Sequence, residues 1–270
     1  MIDIIIPVYN GYDETKACIQ SLLNTKNNIK HRLIFINDKS PDIKIVEMLN
    51  SIGDNRVLVL ENEKNSGFVK TVNRGMQLSK NDVILLNSDT VVTDFWIDKM
   101  NQAAYSNSKV ATVTSLTNNG TIASVPFFNQ DNELPKGHSI QKFATLVESI
   151  SNKVYPVIPT AVGHALFIKR SIIEKIGYFD EKNFGKGYCE ENDYSARVIK
   201  AGYLNILADD TFIFHFGSTS FKEEKAKRIA ENKKKLFLKH PFYPFAVKRF
   251  LYFDKKVRKI CSNIQRELEI

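Results

Sequence analysis

With 270 residues, 43% of them hydrophobic and 25% charged, the chain can fill the core of one large domain or a domain with an appendage, which excludes intrinsic disorder and collagen-like repeats. No apolar run approaches the roughly 18 to 20 residues that span a bilayer. Met1 leads directly into Asp3-Ile4-Ile5-Ile6-Pro7 with no basic leader, so the expectation is a cytoplasmic protein. The net charge of +8 is unevenly spread: residues 222–270 carry 15 Lys and Arg against 6 Asp and Glu, leaving 23 against 24 in residues 1–221. Cys18, Cys189 and Cys261 are too few and too scattered for a disulfide framework or a thiolate zinc site and read as reduced thiols.

From the N-terminus, short apolar runs alternate with helical periodicity: Ile2–Val8, Tyr12–Leu23, Arg32–Ile36, Ile43–Ile52, Val57–Leu60, Phe68–Leu78 and Val83–Leu86. Strands rich in Ile, Val and Leu, separated by helices, predict βαβ crossovers and a parallel sheet covered on both faces. Ligands of such sheets sit at the carboxyl ends of the strands. The turns that matter are therefore Val8-Tyr9-Asn10-Gly11, Asn37-Asp38-Lys39-Ser40, Glu61-Asn62 and Asn87-Ser88-Asp89-Thr90, all polar.

Residues 110–159 have a weaker pattern, with β-like pieces at Val110–Ser115 and Thr121–Phe127, a polar stretch from Asn129 to Gly137, and an amphipathic helix near Ser139–Ser151. Periodicity resumes with a strand at His164–Ile168, a short helix Ser171–Ile176 ended by Gly177, a helix from about Glu191 to Ala201 closed by Gly202, and a final strand Thr211–Phe216. Lys222 is a plausible boundary between a globular body and a helical extension. The extension interleaves Phe242-Tyr243-Pro244-Phe245 and Phe250-Leu251-Tyr252-Phe253 with Lys248, Arg249, Lys255 and Lys256, a composition that suits an interfacial helix on anionic lipid or, equally, a helix packed on the body or on a second subunit.

Asp89 follows an apolar strand, where a carboxylate can bridge a hard divalent cation to a diphosphate; equally, Asp89, Thr90 or Asp94 could cap a helix beginning near Phe95. Asp38 could accept hydrogen bonds from a base or ribose, or close an Asx-turn before Pro41. Gly67 opens a helix whose N-terminus could offer N–H groups to an anion. Glu190, Glu191 and Asp193 crowd the start of another helix, where the macrodipole favours acids and where one of them could act as a general base. His215, between aromatics, is either a core residue or part of a metal or phosphate site.

Taken in order, these segments resemble the family 2 glycosyltransferases of the GT-A fold, from Ile4 to about Phe221. Ile36-Asn37-Asp38-Lys39-Ser40-Pro41-Asp42 is similar to the family's DDGSxD segment, with Asn37 at the first acid. Asn65-Ser66-Gly67-Phe68 with Asn73-Arg74-Gly75 resembles NxGFxxxxNxG, and Asn87-Ser88-Asp89 resembles a DxD motif whose first acid is Asn. Gly177-Tyr178-Phe179-Asp180-Glu181, Tyr188 to Tyr194 and Arg197 resemble GxFDE…YxEDxDLxxR, and His215-Phe216-Gly217-Ser218 resembles HxGS.

The resemblance implies a Rossmann-like GT-A domain over residues 1–221, its mostly parallel sheet flanked by helices, with a nucleotide-sugar half to about 109, an acceptor half after it, and a basic helical extension over 222–270. It implies an inverting hexosyl transfer from a UDP- or TDP-sugar to a hydroxyl of a saccharide, lipid-linked or glycoprotein acceptor, in the making of a surface polysaccharide. Pro7, Val8, Tyr9, Asn10, Asp38, Asn65, Gly67, Lys70, Asn87 and Ser88 would bind the donor. Asp89 and His215 would hold Mn²⁺ or Mg²⁺; Glu191 would be the base, with Glu190 and Asp193 orienting base or acceptor. The basic extension would touch the inner face of a membrane or a second copy, and no nucleic acid is expected. Asn at 37 and 87 motivates one competing reading, a non-catalytic nucleotide-sugar binder or scaffold of the same fold.

Overall fold

The computed structural model describes residues 1–217 and 222–270. The first half follows the periodicity closely: β1 (Ile2–Val8), α1 (Tyr12–Asn24), β2 (His31–Asn37), α2 (Ile43–Asn50), β3 (Val57–Glu61), α3 (Phe68–Leu78), β4 (Asp82–Leu86), β5 (Thr90–Val91) and α4 (Trp96–Tyr105). There follow β6 (Val110–Leu116), α5 (Ile140–Ile150), β7 (Val157–Ile158), β8 (Ala165–Ile168), α6 (Arg170–Ile176), α7 (Glu181–Phe184), α8 (Glu190–Lys200), β9 (Leu204–Phe212), β10 (Phe214–His215), α9 (Lys222–Lys239), α10 (Tyr243–Phe253) and α11 (Lys256–Glu267).

Eight strands form one sheet in the order β3-β2-β1-β4-β8-β6-β9-β7. The pairs β1–β2, β1–β4, β2–β3 and β6–β9 are parallel, whereas β8 lies antiparallel between β4 and β6, and β7 antiparallel on β9. The near-continuous apolar strands are explained by burial on both faces. In β1, Ile4, Ile6 and Val8 enter one core with Cys18, Leu22, Trp96 and Met100 of α1 and α4. Ile5 points the other way, into a second core with Val69, Val72 and Met76 of α3 and Tyr194 and Val198 of α8. Gly75 is small for a reason: a Cβ there would stand 2.6 Å from Ile5 Cγ2.

Two expectations are corrected. The β-like piece Thr121–Phe127 is a 3₁₀ turn at Thr121–Ala123 followed by an isolated bridge from Ser124 to Thr117, because Pro126 has no N–H to continue a ladder. The final strand is longer and earlier than Thr211–Phe216, with β9 beginning at Leu204 and β10 separate from it. Asp209 and Asp210 hid its start, yet both are buried, Asp209 accepting from Ser151 Oγ and the Tyr155 N–H at 2.8 Å each. Residues 222–270 are helical as expected, in three helices that pack on the rest of the chain: Leu236 and Tyr243 lie in the second core, and Val257, Cys261 and Ile264 complete a third with Phe143, Val147 and Phe212. The cysteines are buried and unbridged, and burial pushes each thiol up to about 12.

Candidate active site

At the carboxyl end of β2, Asp38 is 4% exposed and its carboxylate is fully engaged. Oδ1 accepts from Asn62 Nδ2 and the Ser66 N–H at 2.7 Å each, and Oδ2 from the Gly67 N–H at 2.8 Å. Asp38 thus pins the turn that opens α3, and the Ser66 and Gly67 N–H groups are spent on it and not on an anion. It is neither a cap nor an Asx-turn; the cap before α2 is Asp42, which accepts from the Lys44 N–H. Asn37 accepts from the Ser40 N–H at 2.9 Å, and Ser40 Oγ accepts from the Asn10 N–H at 3.2 Å, so the turns after β1 and β2 are tied together. Pro7 is half-buried and Tyr9 and Asn10 are exposed beside them, as are Asn65 and Lys70 across the turn. Val8 differs: its side chain is fully buried in the first core, so only its backbone faces this edge.

After β4, Asn87, Ser88 and Asp89 are half-buried, the Asn87 N–H donating to the His164 carbonyl at 3.0 Å. Asp89 caps no helix, since α4 begins after Phe95, in the left-handed region. Instead β5 pairs antiparallel with β10, Thr90 opposite His215, and the Phe216 N–H donates to the Asp89 carbonyl at 3.0 Å. This register brings His215 Nε2 to 3.3 Å from Asp89 Oδ1. The ring is held from behind: Nδ1 lies 2.7 Å from the Asn119 carbonyl, and the His215 N–H donates to Asn118 Oδ1 at 2.8 Å. The two neighbouring chains meet so tightly that a Cβ on Gly217 would fall on the Asn119 amide. Beneath His215, at 5.8 Å, stacks His164, fully buried against Ser115 Oγ; burial, and then the nearby His215, hold its imidazole well below the usual histidine range, hence neutral.

A hard carboxylate and an imidazole converging on one point, with the imidazole's other nitrogen on a carbonyl, is a donor set that suits a divalent cation completed by water and phosphate oxygens. Among the described residues no group of three or more His, Cys, Asp and Glu could hold a metal, so any cation here depends on such outside ligands. Ser218, the last residue of the HxGS pattern, lies outside the described residues.

α8 opens on the acids, its N-cap Cys189 in the left-handed region without a side-chain cap. Glu190 is buried and its Oε2 has no hydrogen-bond partner among the described residues. Burial, and next the neighbouring Glu191, push the Glu190 carboxyl well up; burial also raises Glu191, with a hydrogen bond from Glu190 working against it. Glu190 therefore keeps its proton more firmly, and Glu191, half-buried, is the one of the pair that ionises first. Asp193 is turned away from both: it is fully buried, with Arg197 Nε at 2.9 Å, Lys239 Nζ at 2.7 Å and His240 Nε2 at 2.8 Å. The Arg197 contact is a helical i,i+4 pair, which spacing alone allows; the two from the C-terminal segment have no such local cue. The segment 160–164 links α8 to the Asp89 turn, accepting from Asn192 at Thr160 Oγ1, donating from the Ala161 N–H to Ser195 Oγ, and meeting Asn87 through the His164 carbonyl.

His164, Asn118, Asn119, Asn232, Lys239 and His240 were not singled out in the sequence. Asn118-Asn119-Gly120 follows β6 at the same sheet edge as the other polar turns, and that rule would have found it. The remaining four carry no local signal.

Residues 3–177 match the family described as Glycosyl transferase family 2. No curated protein sequence matches the chain. Among solved structures it is similar to a mannosyltransferase, PcManGT from Pyrobaculum calidifontis in complex with GDP-Man and Mn²⁺, with a TM-score of 0.62 at 14% identity over 99% of this chain and 74% of that one. It is also similar to GalNAc-T7 with UDP, GalNAc and Mn²⁺, with a TM-score of 0.62 at 14% identity over 100% of this chain, which spans 54% of that protein's length. The architecture they share with it is the GT-A fold.

Proposed function

Since the chain belongs to glycosyl transferase family 2, we propose that it moves a sugar from a nucleoside diphosphate donor, UDP- or TDP-linked, to a hydroxyl of a saccharide, lipid-linked or glycoprotein acceptor with inversion at the anomeric carbon. The observation that carries this is the β5–β10 pairing, which sets His215 Nε2 3.3 Å from Asp89 Oδ1 beyond the carboxyl end of β4. Asp89 and His215 would hold Mn²⁺ or Mg²⁺, an ion that supplies positive charge against a departing diphosphate. The mannosyltransferase and GalNAc-T7 structures both contain Mn²⁺.

Pro7, Tyr9, Asn10, Asn65 and Lys70 flank the nucleoside, on a floor that Asp38 keeps rigid. Glu191 takes the acceptor's proton as the hydroxyl oxygen bonds to the anomeric carbon and the bond from that carbon to the diphosphate oxygen breaks. Glu190, buried beside it, orients the base or the acceptor. A single displacement of this kind inverts the centre.

The exposed side of α10 supports a place at the inner face of a membrane. Phe245, Lys248, Arg249 and Tyr252 recur at helical spacing, followed by Phe253, Lys255 and Lys256; Phe245, Tyr252 and Phe253 are 72%, 69% and 75% exposed. Among the described residues no helix is long and apolar enough to cross a membrane. Surface contact of this sort fits a lipid-linked acceptor.

Melting the protein with UDP, TDP, GDP and CMP, each with and without Mn²⁺, tests the donor site. One nucleoside diphosphate should raise Tm by several degrees and only with the metal, because ligand at about 100 times its Kd adds roughly 2.7 kcal/mol. No shift with any of them overturns the reading; a shift without donor consumption in any sugar screen would favour a binding scaffold.

A further inference from the structure

α9 reaches the base-bearing turn from two sides. Asn232, buried on α9, donates through Nδ2 to the carbonyls of Gly187 at 3.0 Å and Tyr188 at 2.9 Å. Two turns later, Lys239 Nζ lies 2.7 Å from both Asp193 Oδ1 and Asp180 Oδ2, and His240 Nε2 lies 2.8 Å from Asp193 Oδ1. Glu190 and Glu191 sit between these anchors. The stretch that delivers them is strained: Gly187 has φ 113, and Tyr188 and Cys189 both have φ 72, a region that residues with a Cβ enter at a cost. Such a turn persists only where its surroundings hold it. Its far side rests on the donor turn, for a Cβ on Gly67 would stand 2.9 Å from Lys186 Cα. Displacement of the turn would therefore disturb the base and its distance from the donor together.

We propose that Asn232, Lys239 and His240 are positioning residues for the carboxylate base, α9 serving as a brace that holds the Gly187–Asp193 turn at both ends. These residues lie outside the 3–177 family match, so the brace is a device of this chain's C-terminal segment. Its catalytic consequence rests on the transfer reaction proposed above; the brace itself does not.

The test uses the full chain with two readouts. In Asn232→Ala, amide hydrogen exchange at residues 187–192 should quicken while that of β1, β2 and β4 stays as in the wild type. Mn²⁺-dependent donor hydrolysis, assayed on UDP-glucose, UDP-N-acetylglucosamine, TDP-glucose and GDP-mannose, should lose about 10- to 100-fold in kcat with the donor KM within about 2-fold, as expected when a reacting group is misplaced by an ångström or less. Lys239→Gln, which leaves the Asn232 bonds in place, should quicken exchange chiefly around Asp193 and cost less in kcat. Unchanged exchange at 187–192 in Asn232→Ala, or wild-type kcat in both variants, overturns the brace. Should the wild type hydrolyse no donor while exchange behaves as described, the transfer reading fails and the brace stands.

Discussion

The N-terminal half and the C-terminal half hold their polar residues in place by different means. Around β1, β2 and β3 the site is made of short-range bonds between consecutive strand ends: Ser40 to Asn37, Asn10 to Ser40, Asn62, Ser66 and Gly67 to Asp38. Each turn needs only the turn before it and after it. The second half is assembled from distant pieces, with Asn73 bonded to Phe179 across 106 residues, Asn118 to His215 across 97 and Asn232 to Gly187 across 45. The difference teaches where damage should propagate: changes in the first half stay local, whereas those in the second reach the chemistry through the packing of segments far apart in the chain.

The strongest way to break the comparison is to remove residues 222–270. That deletes Leu236, Tyr243, Val257, Cys261 and Ile264 from two cores. At about 1.5–3 kcal/mol per large buried side chain, the loss rivals the roughly 5–15 kcal/mol by which a domain is stable. The truncated chain should be insoluble or lack a cooperative melt; a soluble 1–221 fragment with a sharp transition would make the segment a true appendage.

Next in size are the groups proposed to act on donor and acceptor. Glu191→Gln should lower kcat by about 10³-fold with nucleotide binding intact, within the range that a positioned base supplies. Asp89→Ala should abolish the Mn²⁺-dependent part of the nucleotide's stabilisation while leaving the apo Tm within a few degrees, because Asp89 bears none of the sheet's core. Normal turnover in either variant removes that residue from the mechanism.

Outside the site, Lys248→Glu with Arg249→Glu should weaken binding to phosphatidylserine-containing vesicles at low salt by at least about 10-fold, since each basic residue at an anionic surface contributes about 1 kcal/mol. Donor hydrolysis in solution should not change. Wild-type protein that ignores such vesicles ends the membrane reading and leaves the α10 face to self-association.

The smallest expected effect concerns Glu190. Its folded carboxyl is pushed up by burial and by Glu191, so the stability it lends is present at acid pH and lost as pH rises from the ordinary glutamate range through the raised value. Glu190→Gln imitates the protonated form, so at pH 7 it should raise Tm, and the rise should shrink toward pH 4. A Tm that falls at pH 7 would show that the ionised form is the one the fold prefers.

Much of this was readable without coordinates, and the reasons are physical. β1 to β4 and α1 to α3 were legible because doubly buried strands are near-continuous in Ile, Val and Leu and the helices between them keep one apolar stripe. Asp89, His215 and the α8 acids stood out because polar groups at strand ends and helix starts are where such a fold exposes chemistry. The start of β9 was hidden by two aspartates whose hydrogen-bond partners come from another segment, and Pro126 was overlooked as the end of a β-like run.

The family, the alternation of elements and the cluster of acids are all local patterns of residue type and can be read without the fold. That Asp38 is a rivet for its own turn, that Asp193 faces inward to Lys239 and His240, and that the basic segment packs into the core follow from contacts between distant segments. A carboxylate looks the same in a sequence whether it awaits a substrate or already holds a partner. Which it does depends on desolvation and on the groups that folding brings within 3 Å, and these come from parts of the chain that no local pattern joins.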